Sequence, residues 1–187
     1  MAVKNYYYDD YPVLRNKFDI KVMYMLIKKE EEIARKQIAK LRDPSYSVDF
    51  SLSGLCELHK ALYEEIYDWA GEIREAPLYI RESSTSKNLL KFSDYAHIKQ
   101  CINSILRETE AATWKSYDLK DKVYELAACC AQLWGQQPFM SGNLETITLF
   151  IYKYAESKGV HLSLDYLLEH SEELRDAIVD ATLNYDP

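Results

Sequence analysis

The segment best suited to chemistry lies between residues 137 and 146, where a proline-containing loop leads into a predicted helix. The pair Gly142 and Asn143 is typical of the point where a loop turns into a helix. Unpaired backbone N–H groups at a helix start attract anions, so this point could bind a phosphate or a nucleotide. The competing interpretation is purely structural, with Asn143 capping the helix and Gly142 making a tight turn.

Helices must hold this loop in place, and the rest of the chain is predicted to be mostly α-helical. It contains five glycines and five prolines, and long stretches repeat apolar residues with helical period. Four helices are predicted in the first part of the chain: 21–41, from Ser51 or Ser53 to about Gly71, from Ser93 or Asp94 through Ile105, and from Asp118 to Trp134. Three more are predicted after the loop, at about 143–157, about 164–170 and 172–183.

The first predicted helix has a recognisable apolar pattern. Its inward face is expected to comprise Val22, Met25, Leu26, Ile33 and Ile38, with Lys and Glu between them. The segment from 74 to 92 breaks the helical pattern and predicts a small β-hairpin, with strands near 76–80 and 89–92. The expected fold class is therefore all-α with one hairpin.

The bulk properties restrict the domain organisation and location. A chain of 187 residues, 48% hydrophobic, fits one domain over 1–187, with a core of about 13–160 and C-terminal helices at about 164–183. No apolar run is long enough to cross a membrane, and the N-terminus lacks the basic start and apolar stretch of a signal peptide. We expect a cytoplasmic protein, or one exported by a route that the sequence does not show.

Charge and cysteine usage exclude two further classes of site. The net charge of −7 comes without a basic cluster, which argues against a nucleic-acid surface but leaves a small nucleotide ligand open. No cysteine spacing matches a metal-ligand pair, and the four cysteines are expected to be buried free thiols. They are Cys56, Cys101, Cys129 and Cys130.

A family resemblance appears in the segment Leu58–Arg74, which ends in Tyr67-Asp68-Trp69-Ala70-Gly71-Glu72-Ile73-Arg74. This segment resembles the Fic family, whose members carry a helix ending in tyrosine, then one or two residues, then Trp-Ala-Gly-Glu-Ile-Arg. Tyr6–Tyr8 followed by Val13–Lys17 is similar to the lead-in of compact bacterial Fic proteins. The resemblance extends to Gly159, and it implies a Fic-type helical bundle in which the hairpin is the flap.

The family's catalytic motif is His-Pro-Phe-x-Asp/Glu-Gly-Asn-Gly/Thr-Arg. The matching stretch here keeps Pro138, Phe139, Gly142 and Asn143. The resemblance implies that this loop is the catalytic loop of the fold.

Four positions of the motif depart from the family pattern. Gln137 stands where the resemblance implies a histidine base, and an amide cannot take a proton near neutral pH. Ser141 replaces the carboxylate that holds magnesium and is a poor ligand for a hard cation. Leu144 adds bulk where backbone amides approach the phosphates, and Glu145 reverses the charge of the arginine that clamps the triphosphate.

These departures imply a degenerate pseudoenzyme that binds a protein, either an active Fic protein or that protein's target, with self-association as a further expectation. The alternative is a protein adenylyltransferase, or a related nucleotidyl or phospho-group transferase, that works by positioning alone. In it Gln137 would orient the hydroxyl and Asn143 would hold a phosphate, with ATP and magnesium bound weakly. A remnant without a present role is the third interpretation. No metal site, nucleic-acid partner or membrane partner is expected.

The hairpin is the expected docking site, because the family's flap binds its target segment as an added strand. The residues assigned to this role are Leu78, Tyr79, Ile80, Arg81 and Lys87. The alternative is an ordinary exposed hairpin.

Two other sets of residues have structural and functional interpretations. No histidine has a catalytic partner at motif spacing, and His59 is expected to be a packing residue. Tyr6–Tyr8 could be exposed and could form a docking patch. The family's inhibitory Ser/Thr-x-x-x-Glu signature has no convincing copy here.

Overall fold

The computed structural model of the protein describes residues 4–81 and 89–183. Within these ranges nearly all of the regular secondary structure is helical, which confirms the predicted all-α class with one hairpin. The elements are α1 Met23–Leu41, α2 Leu52–Tyr63, β1 Tyr79–Arg81, β2 Leu89–Lys91, α3 Ile98–Ala111, α4 Leu119–Gln136, α5 Asn143–Ser157, α6 Leu164–Glu169 and α7 Ser171–Leu183.

The core forms around α4 and α5, which pack against each other, while α5 also contacts α2 and α6. α4 also contacts α3 and α7, while α2 contacts α1, α3 and α5. The apolar stripe of α2, formed by Leu55, Leu58 and Leu62, is completely buried. Burial of such stripes stabilises the bundle and fixes the loop between α4 and α5 at its centre.

Two helix starts follow the predicted capping chemistry. The Ser51 hydroxyl accepts a hydrogen bond from the Gly54 N–H at the start of α2, and the Asp118 carboxylate accepts one from Asp121 at the start of α4. α3 begins at Ile98, later than predicted, because Asp94 instead closes a turn by accepting the N–H of Ala96.

The end of α2 was predicted wrongly. The helix stops at Tyr63 and the chain folds back over it, so that the Gly71 N–H reaches Nδ1 of His59 at 2.8 Å. Gly71 has φ of +84°, and a Cβ there would lie 2.9 Å from the carbonyl oxygen of Cys56. Glycine is required at this close approach, where the sequence had indicated only a helix stop.

The predicted inward face of α1 was partly wrong. Leu26, Ile33 and Ile38 are buried, whereas Val22 and Met25 are 55% and 57% exposed. Val22 is the extended residue before the helix, and Met25 lies about 100° around the helix from Leu26, away from the core.

The N-terminal tyrosines also differ from the expectation. Tyr6 is buried, packs edge-on against Trp69 and accepts the Glu75 N–H through its hydroxyl. Tyr7 is exposed and Tyr8 is half-buried. Only part of the tyrosine run is therefore available for docking.

The cysteines are free thiols in the part of the chain that the structure describes. Cys129 and Cys130 are buried as expected, but Cys56 and Cys101 are only half-buried. No described helix is long and apolar enough to cross a membrane.

Candidate functional site

The loop 137–142 connects α4 to α5 and has a residue in the left-handed region at each end. Gln137 has φ of +43° and Gly142 has φ of +71°. The Gln137 backbone N–H and its side-chain Nε2 both donate to the carbonyl oxygen of Trp134, at 2.9 and 3.0 Å. Its side chain therefore closes the end of α4, and at 2% exposure it is not presented to a substrate hydroxyl.

Arg74 holds the start of the loop through hydrogen bonds to backbone carbonyl oxygens. Its Nε donates to the carbonyl oxygen of Gln137 at 2.6 Å, and one Nη2 contact reaches the carbonyl oxygen of Gln136 at 3.2 Å. The same guanidinium donates to the carbonyl oxygens of Ala76 and Ser93, at 2.7 and 2.6 Å. Arg74 is 1% exposed, and burial lowers its pKa from the ordinary arginine value. Its role in the described structure is to satisfy buried carbonyl groups.

Asn143 closes the loop through two hydrogen bonds between its side chain and the backbone of Phe139. Its Nδ2 donates to the carbonyl oxygen of Phe139 at 2.8 Å, and its Oδ1 accepts the Phe139 N–H at 2.9 Å. The residue before the helix is Gly142, and no side chain from that position caps α5. The expectation that Asn143 caps the helix was therefore wrong, because its amide is used to close the loop.

His59 connects α2 to the loop through both ring nitrogens. Nδ1 accepts the Gly71 N–H, which places the proton on Nε2, where it is donated to the Ser141 carbonyl oxygen at 3.1 Å. The ring stacks on Phe139 with centroids 3.7 Å apart. Burial lowers the pKa of His59 to about 3, so the ring stays neutral. The packing role expected for His59 fits this geometry.

Glu30 of α1 enters the site, and sequence reasoning missed it. Its Oε1 accepts hydrogen bonds from the Ser141 hydroxyl at 2.5 Å and from the Tyr67 hydroxyl at 2.6 Å. Burial raises the pKa of Glu30 even though the two hydroxyl bonds lower it, and the neighbouring Glu145 raises it further. No sequence spacing points to Glu30, because it is 111 residues from Ser141.

Glu145 lies in the first turn of α5, where its carboxylate accepts a hydrogen bond from the Tyr63 hydroxyl at 3.2 Å. Burial raises its pKa from the ordinary value. A carboxylate in this place is the anion that a helix N-terminus attracts. The positive end of α5 is thus already matched by a group of the chain itself.

Two carboxylates, those of Glu30 and Glu145, therefore lie beside the loop. Among the described residues, neither Glu30 nor Glu145 belongs to an ion pair. Leu144, the remaining site residue, is half-buried and packs against the core. No group of three His, Cys, Asp or Glu residues suited to a metal ion occurs in the ranges that the structure describes.

Replacing Glu145 with glutamine is expected to raise the melting temperature at pH 7 by about 2–4 °C. Because the folded-state pKa is raised above 4.5, the charged carboxylate costs stability at neutral pH. That cost vanishes as the pH falls through the raised pKa towards 4.5. Melting curves at pH 7 and pH 4 should therefore show a gain that shrinks with acidification.

Glu110→Gln is a control of opposite sign. Burial raises the pKa of Glu110, but hydrogen bonds from Lys158 and Tyr154 outweigh burial and lower it overall. This carboxylate stabilises the protein above its unfolded pKa, so glutamine should lower the melting temperature at pH 7. A Glu145→Gln variant that also melts lower at pH 7 contradicts the electrostatic account.

The hairpin beside the site is present as predicted. β1 and β2 pair antiparallel, with Ile80 opposite Leu90 and Arg81 opposite Leu89. Leu78 packs against the core just before β1. Lys87 lies outside the described residues, so the role expected for it stays a prediction.

A family model and two curated proteins are similar to this chain. A family model described as "Fic/DOC family" matches residues 49–155. A protein of Bartonella henselae named "Protein adenylyltransferase" is 23% identical over 175 residues, which cover 87% of this chain and 32% of the relative. "Protein adenylyltransferase VbhT" of Bartonella schoenbuchensis is 26% identical over 166 residues, covering 89% of this chain and 33% of the relative. The chain spans about a third of the length of these curated relatives.

A solved structure supports the fold. The chain is similar to the BepC protein of Bartonella tribocorum, described as a VirB-translocated effector with bound AMPPNP. The TM-score is 0.81 at 17% sequence identity, covering 95% of this chain and 88% of the other. At this identity the likeness shows the shared helical architecture.

Proposed function

Because the chain belongs to the Fic/DOC family, we propose that it is a degenerate member that acts by binding a protein and not by transferring a nucleotide. The observation that carries this proposal is the position of Glu145. It belongs to the first turn of α5, and its carboxylate accepts the Tyr63 hydroxyl. A phosphate group bound at the start of α5 would lie close to this carboxylate, and the two negative charges would repel each other.

Glu30 adds a second carboxylate near Glu145. It approaches the same loop from α1, and the two carboxylates raise the cost of ionisation for Glu30 by mutual repulsion. The triphosphate of a nucleotide would add further negative charge beside these two carboxylates, neither of which pairs with a cation of the described residues. Two unpaired carboxylates favour a cationic group, and a lysine or arginine side chain of a protein partner has the matching charge.

The groups expected for catalysis support the same conclusion. The Gln137 amide is buried and bonded to its own helix, so it neither takes a proton nor meets a substrate. The Ser141 hydroxyl donates to Glu30 and is not directed to a metal ion. Gln137 and Ser141, which stand at catalytic positions of the family motif, thus make hydrogen bonds within the fold.

The proposed partner is an active Fic protein or that protein's target. It would present a cationic side chain to Glu30 and Glu145 and an extended segment to the hairpin, where strand addition supplies main-chain hydrogen bonds. The antiparallel pair of β1 and β2 is the described element suited to this role.

The second candidate is a protein adenylyltransferase with a divergent site. It is favoured by the names of the relatives and by the AMPPNP bound to BepC. In this chain, however, such activity would require Glu145 to leave the start of α5. Positioning alone would then have to supply the rate, since the described loop holds neither a base nor a metal ligand.

Labelled ATP with magnesium distinguishes the candidates. The wild type is expected to transfer no label to itself or to cell proteins. A revertant with Gln137→His, Ser141→Asp, Leu144→Gly and Glu145→Arg should transfer label. It also needs Glu30→Gln, because an aspartate at position 141 would otherwise face the Glu30 carboxylate that Ser141 contacts.

A matched control keeps Gln137 and carries the other four changes. It should lose about 10²–10⁴-fold in rate relative to the full revertant, the usual contribution of a general base. Label on the wild type, abolished by Asn143→Ala, would overturn the proposal and establish the transferase candidate.

A further inference from the structure

A small cavity lies between the middle of the bundle and the last helices of the chain. Its volume is about 150 Å³, and its walls come from α4, α5, α6, α7 and Leu162 just before α6. The residues that line it include Val123 and Cys130 of α4, Leu167 of α6 and Leu174 of α7. We call it the C-terminal cavity. It shares no lining residue with the loop 137–142, so it is separate from the site described above.

Two short side chains of α4 account for the unfilled space. Ala127 and Cys130 follow Val123 by four and seven residues, so the three lie on one face of the helix. Protein interiors are normally close-packed, and larger side chains at these two positions would fill the gap. Val123 is 44% exposed and Ala127 is also exposed, so the cavity opens to solvent at this edge.

The lining of the C-terminal cavity is uncharged. None of the described residues that surround it is Asp, Glu, Lys, Arg or His. Burial raises the pKa of the Cys130 thiol to about 12, so the thiol is neutral at physiological pH. A charged ligand would lose its hydration there without gaining a partner of opposite charge. The cavity therefore selects a neutral and mainly apolar ligand.

Thr148 of α5 is the exception in this apolar lining. It is 5% exposed, and its hydroxyl oxygen makes no hydrogen bond with any of the described residues. A threonine within a helix commonly donates to the carbonyl oxygen four residues earlier, as Thr146 does to Gly142 at 2.6 Å. Because a buried hydroxyl without a partner is unfavourable, a ligand with one hydrogen-bonding group would be stabilised beside Thr148.

The volume limits the ligand to about one six-membered ring. Apolar cavities of about 150 Å³ bind benzene. A water molecule is a poor occupant, since it needs two to four polar partners and the side chains of the lining offer one hydroxyl and a weakly polar thiol. A flat ring can lie between the leucine side chains, while one polar atom on the ring pairs with the threonine.

We propose that the C-terminal cavity binds a small neutral aromatic molecule that carries one hydroxyl group, with phenol as the simplest member of this class. The ring packs against the apolar side chains of α4, α6 and α7, and the ligand hydroxyl forms a hydrogen bond with the Thr148 hydroxyl. This binding goes beyond the proposed protein-binding role and does not depend on it.

Titration calorimetry of the full chain with phenol and with toluene tests the site, because the two molecules match in size and differ in the hydroxyl group. We expect both to bind, with dissociation constants in the millimolar range or tighter, as ligands of this size allow. Benzoate, which carries a charge, should not bind. In Thr148→Val the affinity for phenol relative to toluene should fall about 2–10-fold, the usual net contribution of one hydrogen bond. Valine removes an unpaired buried hydroxyl, so this variant should keep its fold.

Ala127→Leu tests the location of the site. Its side chain takes up volume that the ring needs, so both ligands should bind about tenfold more weakly or worse. The matched control is Ala39→Leu, an equally exposed alanine on α1 that does not line the cavity, and it should bind like the wild type. Failure of both phenol and toluene to bind the wild type overturns the proposal. Wild-type affinity in Ala127→Leu, or an unchanged ratio in Thr148→Val, also overturns it.

Discussion

Arg74→Met is expected to lower the free energy of unfolding by about 3–5 kcal/mol, since each buried group left without a partner costs roughly 1–3 kcal/mol. Methionine keeps an apolar stem of similar path but donates no hydrogen bond. Four carbonyl oxygens would lose their donor, those of Gln136, Gln137, Ala76 and Ser93. Urea denaturation of both proteins measures the difference directly.

Arg42→Met provides the comparison for this prediction. Arg42 makes a bidentate pair with Asp165, with N···O distances of 2.6 and 2.9 Å, but both side chains are exposed. Exposed pairs contribute about 0–1 kcal/mol, so the control should stay within that range. A similar small loss for Arg74→Met would mean that its carbonyl partners are satisfied by other groups.

Gly142→Ala is expected to cost about 2–5 kcal/mol, the sum of left-handed backbone strain and of overpacking. Gly142 has φ of +71°, and a Cβ there would lie 2.3 Å from Cε2 of Tyr63. Tyr63 is 1% exposed and its hydroxyl is bonded to Glu145, so the ring has little room to move. Thermal and urea unfolding of the purified variant give the cost.

Gly159→Ala separates the two contributions. Gly159 has φ of +74°, but a Cβ there meets no atom within 4 Å. It should therefore show the backbone strain alone, about 1–2 kcal/mol. Equal losses at both glycines would indicate that the Tyr63 ring yields and that the overlap costs nothing.

The elements that follow from local chemistry could be predicted from the sequence. α5 runs from Asn143 to Ser157 as its turn residues indicated, and Ser51 and Asp118 cap the helices expected of them. The hairpin was predicted from the interruption of helical period, and its strands pair as expected. These features depend on neighbouring residues, so a short window of sequence contains the information.

Features that depend on distant residues could not be predicted in this way. Glu30 reaches the loop because α1 packs on α2, and no spacing along the chain shows that contact. Periodicity marks a face of α1 as apolar but does not show whether another element covers it, which is why Val22 and Met25 are exposed against expectation. Burial of Tyr6 likewise depends on Trp69, which is 63 residues away.

Arg74 has a mechanical consequence as well as a stabilising one. Its four acceptors lie on both stems of the hairpin segment, at Ala76 and Ser93, and on the end of α4, at Gln136 and Gln137. One rigid, planar group thus joins the base of the hairpin to the loop. Because the same guanidinium bonds both stems and the end of α4, a displacement of the stems would pull directly on the carbonyl groups of Gln136 and Gln137.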